Sequence, residues 1–132
     1  MDSIEDQTEL DLAGAEEAEG REALLVALDA FEGPLHVLLE LARARKIDIA
    51  RMSVGDIADQ YLAFIAQARA ANIELAGDYL VMAAWLALLK SRLLIPKPQI
   101  AEDEPDPLQQ ADALRLKLMR LQIARAAAKR LQ

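Results

Sequence analysis

Residues 79–89 run for eleven positions without a charge or a strongly polar group, with Asp78 before them and Lys90 and Arg92 after. Ala, Leu and Met dominate the run and neither Gly nor Pro interrupts it, so it reads as a helix. At 3.6 residues per turn one apolar stripe is Tyr79, Met82, Ala83, Leu86 and Leu89, and a second is Leu80, Val81, Ala84, Trp85 and Leu88. A helix that is apolar all round must be covered on more than one side. Two arrangements satisfy that demand. The helix is either the centre of a small bundle, or it turns one stripe to the chain's own helices and the other to a partner. Eleven residues are far short of the roughly 20 needed to cross a bilayer, so no membrane role is expected.

The flanking sequence supplies the rest of a helical bundle. Gly33 allows a sharp turn and Pro34 suits the first position of a helix, with Phe31 just ahead of it. Leu35, Leu38, Leu39 and Ala42 then follow the i, i+3, i+4, i+7 pattern of one buried face, which predicts a first helix over 34–45. Ser53 reads as an N-cap with Asp56 three residues on, and Val54, Ile57, Ala58, Tyr61, Phe64, Ile65 and Ala68 form the stripe of a second helix over 54–70. Asn72 marks a turn, and Pro96 ends the third helix. The segment 96–107 holds four of the five prolines and four acids, a stiff, charged linker. Asp106 and Pro107 then open a fourth helix, with Leu114, Leu118 and Leu121 on one stripe and Leu116, Met119 and Ile123 on a neighbouring one. The expected fold is all-α: a three-helix N-terminal bundle over 23–96, a linker over 97–107 and one further amphipathic helix over 108–132. Only five aromatics in 132 residues agree with helix over sheet.

Charge is partitioned along the chain. The net charge is −7, yet residues 1–22 hold nine acids and one base, which leaves 14 bases and 13 acids for the other 110 residues. The acidity belongs to a tail expected to be disordered. The fourth helix is basic, with six Lys and Arg against Asp112 alone. Such a helix suits DNA, acidic lipid or an acidic partner groove, and a solvated polar face on a packing helix is the plainer reading. A nucleic-acid-binding module built on this helix, with Arg115, Lys117, Arg120 and Arg125 on phosphates, is the alternative function.

Catalysis finds little support. His36 is the only histidine, and the chain has no cysteine, three serines and one threonine, none in a nucleophile elbow or a phosphate loop. Asp56 and Asp59 share a helix face but have no histidine partner. Lys90, Ser91 and Arg92 could grip a phosphate, although cations are ordinary at a helix C-terminus. No enzyme activity, cofactor or metal is expected, and the lack of cysteine suits a reducing cytoplasm.

The segments FEGPLHVLLEL (31–41), KIDI (46–49), IADQYL (57–62) and DYLVMAAWLALLKSRLLIPKP (78–98) together resemble the N-terminal region of the segregation and condensation protein A family. His36 stands where that family usually carries an acid. The family is the kleisin subunit of the bacterial chromosome-condensing complex. The resemblance implies a scaffold that bridges a structural-maintenance-of-chromosomes ATPase dimer. It also implies an N-terminal domain on the coiled-coil neck of one subunit and a middle region held by a dimer of segregation and condensation protein B. DNA would be reached only through the complex. The family continues into a winged-helix domain, so the chain is expected to be part of a longer protein. On this basis Leu80, Val81, Ala84, Trp85, Leu88 and Arg92 are expected to meet the ATPase neck, and Leu114, Leu118 and Leu121 the companion protein. Phe31, Gly33, Pro34 and Leu35 are expected to be structural. Self-association of the isolated fragment would also hide the apolar stripe.

Overall fold

The computed structural model of the chain describes residues 31–96 and 105–131, together with Gly20, Arg21, Leu25, Leu28 and Asp103. Nearly all of the acidic tail, most of the 24–28 apolar run and most of the linker lie outside the described residues. The chain divides into two compact units, Met1–Phe31 and Glu32–Gln132. In the first, the Phe31 amide donates to the Leu28 carbonyl at 3.1 Å. The second contains every helix described below.

Four helices make up that unit: α1 (Pro34–Ala44), α2 (Val54–Ala70), α3 (Gly77–Leu93) and α4 (Pro107–Arg130), with a 3-10 turn at Ile49–Arg51 between the first two. The fold is all-α, with no strand among the described residues. Local chemistry sets each start. Gly33 adopts φ 153° and ψ −179°, and its carbonyl accepts the His36 and Val37 amides at 3.1 and 3.3 Å, with Pro34 at the first helical position. His36 Nδ1 accepts the Glu32 amide at 3.3 Å, which ties the entering segment to the first turn. Partial burial, and then the Arg125 guanidinium, hold the imidazole below its ordinary pKa, which favours the neutral acceptor form. Ser53 Oγ accepts the Asp56 amide at 3.3 Å and Asp106 Oδ1 the Leu108 amide at 2.9 Å, as N-caps should. Asp48 Oδ1 does the same for the 3-10 turn, a short element hidden in the KIDI connector.

Helices α1 and α2 end alike. Lys46 and Asn72 take the left-handed conformation at φ 56° and 57°. The Ile47 amide reaches the Ala42 carbonyl at 3.1 Å and the Ile73 amide the Ala68 carbonyl at 2.9 Å, so each end closes as a Schellman motif. Asparagine tolerates that conformation readily; lysine does so at some cost.

The core lies where α1 meets the other three helices. Five of the eleven α1 residues are buried, namely Val37, Leu38, Leu39, Leu41 and Ala42. That is a wider face than the one-stripe expectation, and Leu35 is only half-buried. In α2 the whole expected stripe, from Val54 to Ala68, is buried. Helices α2 and α3 are joined by the Tyr61 hydroxyl donating to the Tyr79 carbonyl at 2.8 Å and by an ion pair between Lys90 and Asp59. Burial pushes the Tyr61 phenol well above its ordinary pKa, so it remains a donor at any physiological pH.

The fourth helix returns to the bundle after the linker. It packs on α1, α3 and the 3-10 turn. Ala111, Leu114 and Leu118 are buried, the last two at 2% and 0% exposure. Arg115 Nε donates to the Met52 carbonyl at 2.7 Å and Arg125 pairs with Glu32 at 3.0 Å. From α3, Arg92 donates to Gln110 Oε1 at 3.2 Å and to the Pro105 carbonyl. Because largely exposed ion pairs contribute only about 0–1 kcal/mol, the two leucines and the bonds to backbone carbonyls are what seat this helix.

Two stability measurements check this account. Replacing Leu118 by Ala should cost about 2–5 kcal/mol, the range for deleting a fully buried leucine side chain. An unchanged melting temperature would mean that α4 is not docked. Gly33→Val should cost more than about 1 kcal/mol, because the backbone region Gly33 occupies is essentially closed to side-chain-bearing residues. A Cβ there would meet nothing within 4 Å, so the loss would be conformational rather than steric crowding. A variant that melts with the wild type would show that the turn relaxes without effect.

Candidate partner-binding surface

The most apolar helix is not the most buried one. Only Tyr79, Leu86 and Leu89 of the seventeen α3 residues are buried, against seven of seventeen in α2. The buried face is the first apolar stripe, with Met82 and Ala83 half-buried beside it. The second stripe is turned outward. Leu80 is 44% exposed, Val81 70% and Leu88 58%, and Ala84 and Ala87 are exposed between them. The apolar surface continues past the helix end through Leu94, 76% exposed, and Ile95. Sequence reasoning did not include these last two, although a helix that stops before Pro96 leaves them at its open end.

Trp85, at the edge of the outward stripe, is half-buried. With Val81 and Met82 it lines an apolar groove of about 360 Å³ whose other walls are Leu35 of α1 and Ala113 and Leu114 of α4. Asp78 and Lys117 also border it. The groove is therefore built from both sides of the proline-rich linker.

Two sets of expected contacts need correction. Arg92, expected on the ATPase-facing surface, instead holds Gln110 and the Pro105 carbonyl with its guanidinium at the α3–α4 junction. Leu114 and Leu118, expected on a companion-facing stripe, are both core, and Leu121 is half-buried on the same side. The cause is that α4 carries two apolar stripes and the bundle takes the first. The other remains outside, with Leu108 60% exposed, Leu116 46% and Ile123 68%. The same packing weakens the nucleic-acid alternative, since Arg115 and Arg125 are engaged by the chain itself. A second concavity mixes apolar groups such as Leu121 and Ala124 with Glu32, Glu40, Arg43, Arg125 and Lys129, and four of those charges pair internally through Arg43–Glu40 and Arg125–Glu32. Among the described residues no three His, Asp or Glu side chains come together as metal ligands would. Nor is any described helix long and apolar enough to cross a membrane.

A family described as Segregation and condensation protein ScpA matches the chain over residues 41–132. The matched stretch includes all of α2, α3 and α4 and leaves out the FEGPL turn. Segregation and condensation protein A of Coxiella burnetii is 51% identical over 87 residues, covering 65% of this chain and 33% of that protein. Its namesake in Lactiplantibacillus plantarum is 42% identical over 86 residues, covering 65% and 34%. That of Listeria monocytogenes serotype 4a is 40% identical over 111 residues, covering 80% and 43%. The chain thus spans about a third to two fifths of the length of these relatives. By this match the chain belongs to the segregation and condensation protein A family.

Proposed function

We propose that the chain is a non-catalytic scaffold in bacterial chromosome condensation and segregation, the N-terminal region of a kleisin subunit that bridges a structural-maintenance-of-chromosomes ATPase dimer. One observation carries this reading: α3 is apolar on every side, and the bundle covers only one of them. An exposed stripe of Leu80, Val81, Ala84 and Leu88 is the geometry by which a helix is laid against the helices of a coiled coil. The class of partner, an ATPase neck, is part of this proposal and is suggested by the family resemblance. The relatives are named for segregation and condensation rather than for a reaction, in keeping with a role in assembly.

The companion protein B dimer is the second partner in this reading. With Leu114 and Leu118 taken by the core, the α4 surface left for it is the opposite stripe of Leu108, Leu116 and Ile123. DNA is reached through the assembled complex, and the working compartment is the cytoplasm at the nucleoid.

Calorimetric titration with a purified ATPase neck fragment tests the proposal. Leu80→Glu and Leu88→Glu should each weaken binding by about 2 kcal/mol or more, the cost typical of a central interface residue, while the circular dichroism spectrum stays helical. Loss of helicity in these variants would show that the stripe belongs to the fold. Unaltered binding would show that the neck sits elsewhere.

A further inference from the structure

We infer that the partner site is composite, with α4 as its second wall, and that the groove between α3 and α4 takes a large apolar side chain from the partner helix. This rests on the reading of α3 as the partner surface and goes beyond it, because that reading needs α3 alone. Val81 and Trp85 belong to the outward stripe and at the same time line the groove, so the groove is continuous with the exposed face. A helix laid along the edge of the outward stripe, over Val81, Trp85 and Leu88, therefore passes over the groove mouth. The groove is bounded mostly by carbon, from Met82, Trp85, Ala113, Leu114 and Leu35, and its volume of about 360 Å³ admits a leucine, methionine or aromatic side chain.

Charge defines the occupant further. Asp78 stands on the α3 wall, in the first turn of that helix, and Lys117 stands on the α4 wall. Both are exposed, and no ion pair joins them to each other among the described residues. An occupant that complements both carries its apolar anchor between a basic residue facing Asp78 and an acidic residue facing Lys117. An amphipathic coiled-coil helix, with an apolar seam between charged flanks, has that chemistry. A flat apolar surface or a uniformly acidic one does not.

The α4 wall is held in place by contacts far along the chain, from Arg92 to Gln110 and Pro105 and from Arg115 to Met52. The docked position of α4 is thus a condition for full affinity at α3, and a ligand that drew α4 off the bundle would remove half of the site.

The test uses the full chain and a tryptophan-free ATPase neck fragment, with binding read by calorimetry and by the emission of Trp85, the only tryptophan in the protein. Titration should shift the Trp85 emission to shorter wavelength as the anchor displaces water. Ala113→Trp, which fills the groove from an exposed position on the α4 wall, should weaken binding about tenfold or more. That affinity is measured by calorimetry, since the variant holds a second tryptophan. Ala127→Trp, on the same helix and away from the groove, should bind as the wild type does. If the neck binds, Leu88→Glu abolishes binding, and neither the emission nor the Ala113→Trp affinity changes, then α3 is the partner surface and the composite groove is wrong. If the wild type does not bind the neck at all, the reading of α3 and the groove fall together.

Discussion

This four-helix unit leaves its most apolar helix uncovered along one side, and the architecture follows from which helix is given the cover. It is α1, held between α2, α3 and α4, that buries the widest face. Helix α3 is left at the edge, attached through Tyr79, Leu86 and Leu89 and fixed to α2 by the buried Tyr61 hydrogen bond. Full burial of a leucine or valine side chain is worth about 1.5–3 kcal/mol, so leaving Leu80, Val81 and Leu88 outside forgoes several kcal/mol that another packing would recover. A contiguous exposed apolar stripe is what an interaction surface presents, and a finished core does not.

The return of α4 decides what shape this exposed face takes. Were α4 a free arm beyond the linker, α3 would present a single convex ridge. Docked by Leu114, Leu118 and the Arg115 bond to Met52, it turns one side of that ridge into a groove. The bases that made α4 look like a nucleic-acid element are partly consumed in the docking. A helix that reads as a separate module by composition is therefore structural on one face and open on the other.

Much of this was legible in the residues. The caps at Ser53 and Asp106, the Gly33–Pro34 start and the αL Asn72 place the helix ends within a residue or two, because each signal acts over three or four positions. The choice between stripes was harder. On α3 the outward stripe is the one expected to meet a partner, although both stripes fit the helical period and periodicity alone does not rank them. On α4 the expectation was reversed, since Leu114–Leu118 and Leu116–Ile123 are equally apolar and periodicity alone cannot say which faces in. What decides is a set of contacts 13 to 63 residues apart, Arg92 with Gln110 and Pro105 and Arg115 with Met52, which no local pattern announces. Lys46 in the left-handed conformation and the 3-10 turn at Ile49–Arg51 were also not anticipated, because lysine has no preference for that conformation and the Asp48 cap that opens the turn lies in a connector too short for a periodic signal.

The central claim is that the outward face of α3 is bare in the free protein and covered in the assembly. The chain has no cysteine, so a single Leu88→Cys substitution gives one reporter on that face. Its rate of labelling by a small thiol reagent, measured with and without the ATPase neck fragment, reads the claim directly. The account predicts rapid labelling of the free protein, as Leu88 is 58% exposed, and strong protection at saturating neck concentration. Slow labelling of the free monomer, or equal rates in the two states once calorimetry has shown that the complex forms, would contradict it.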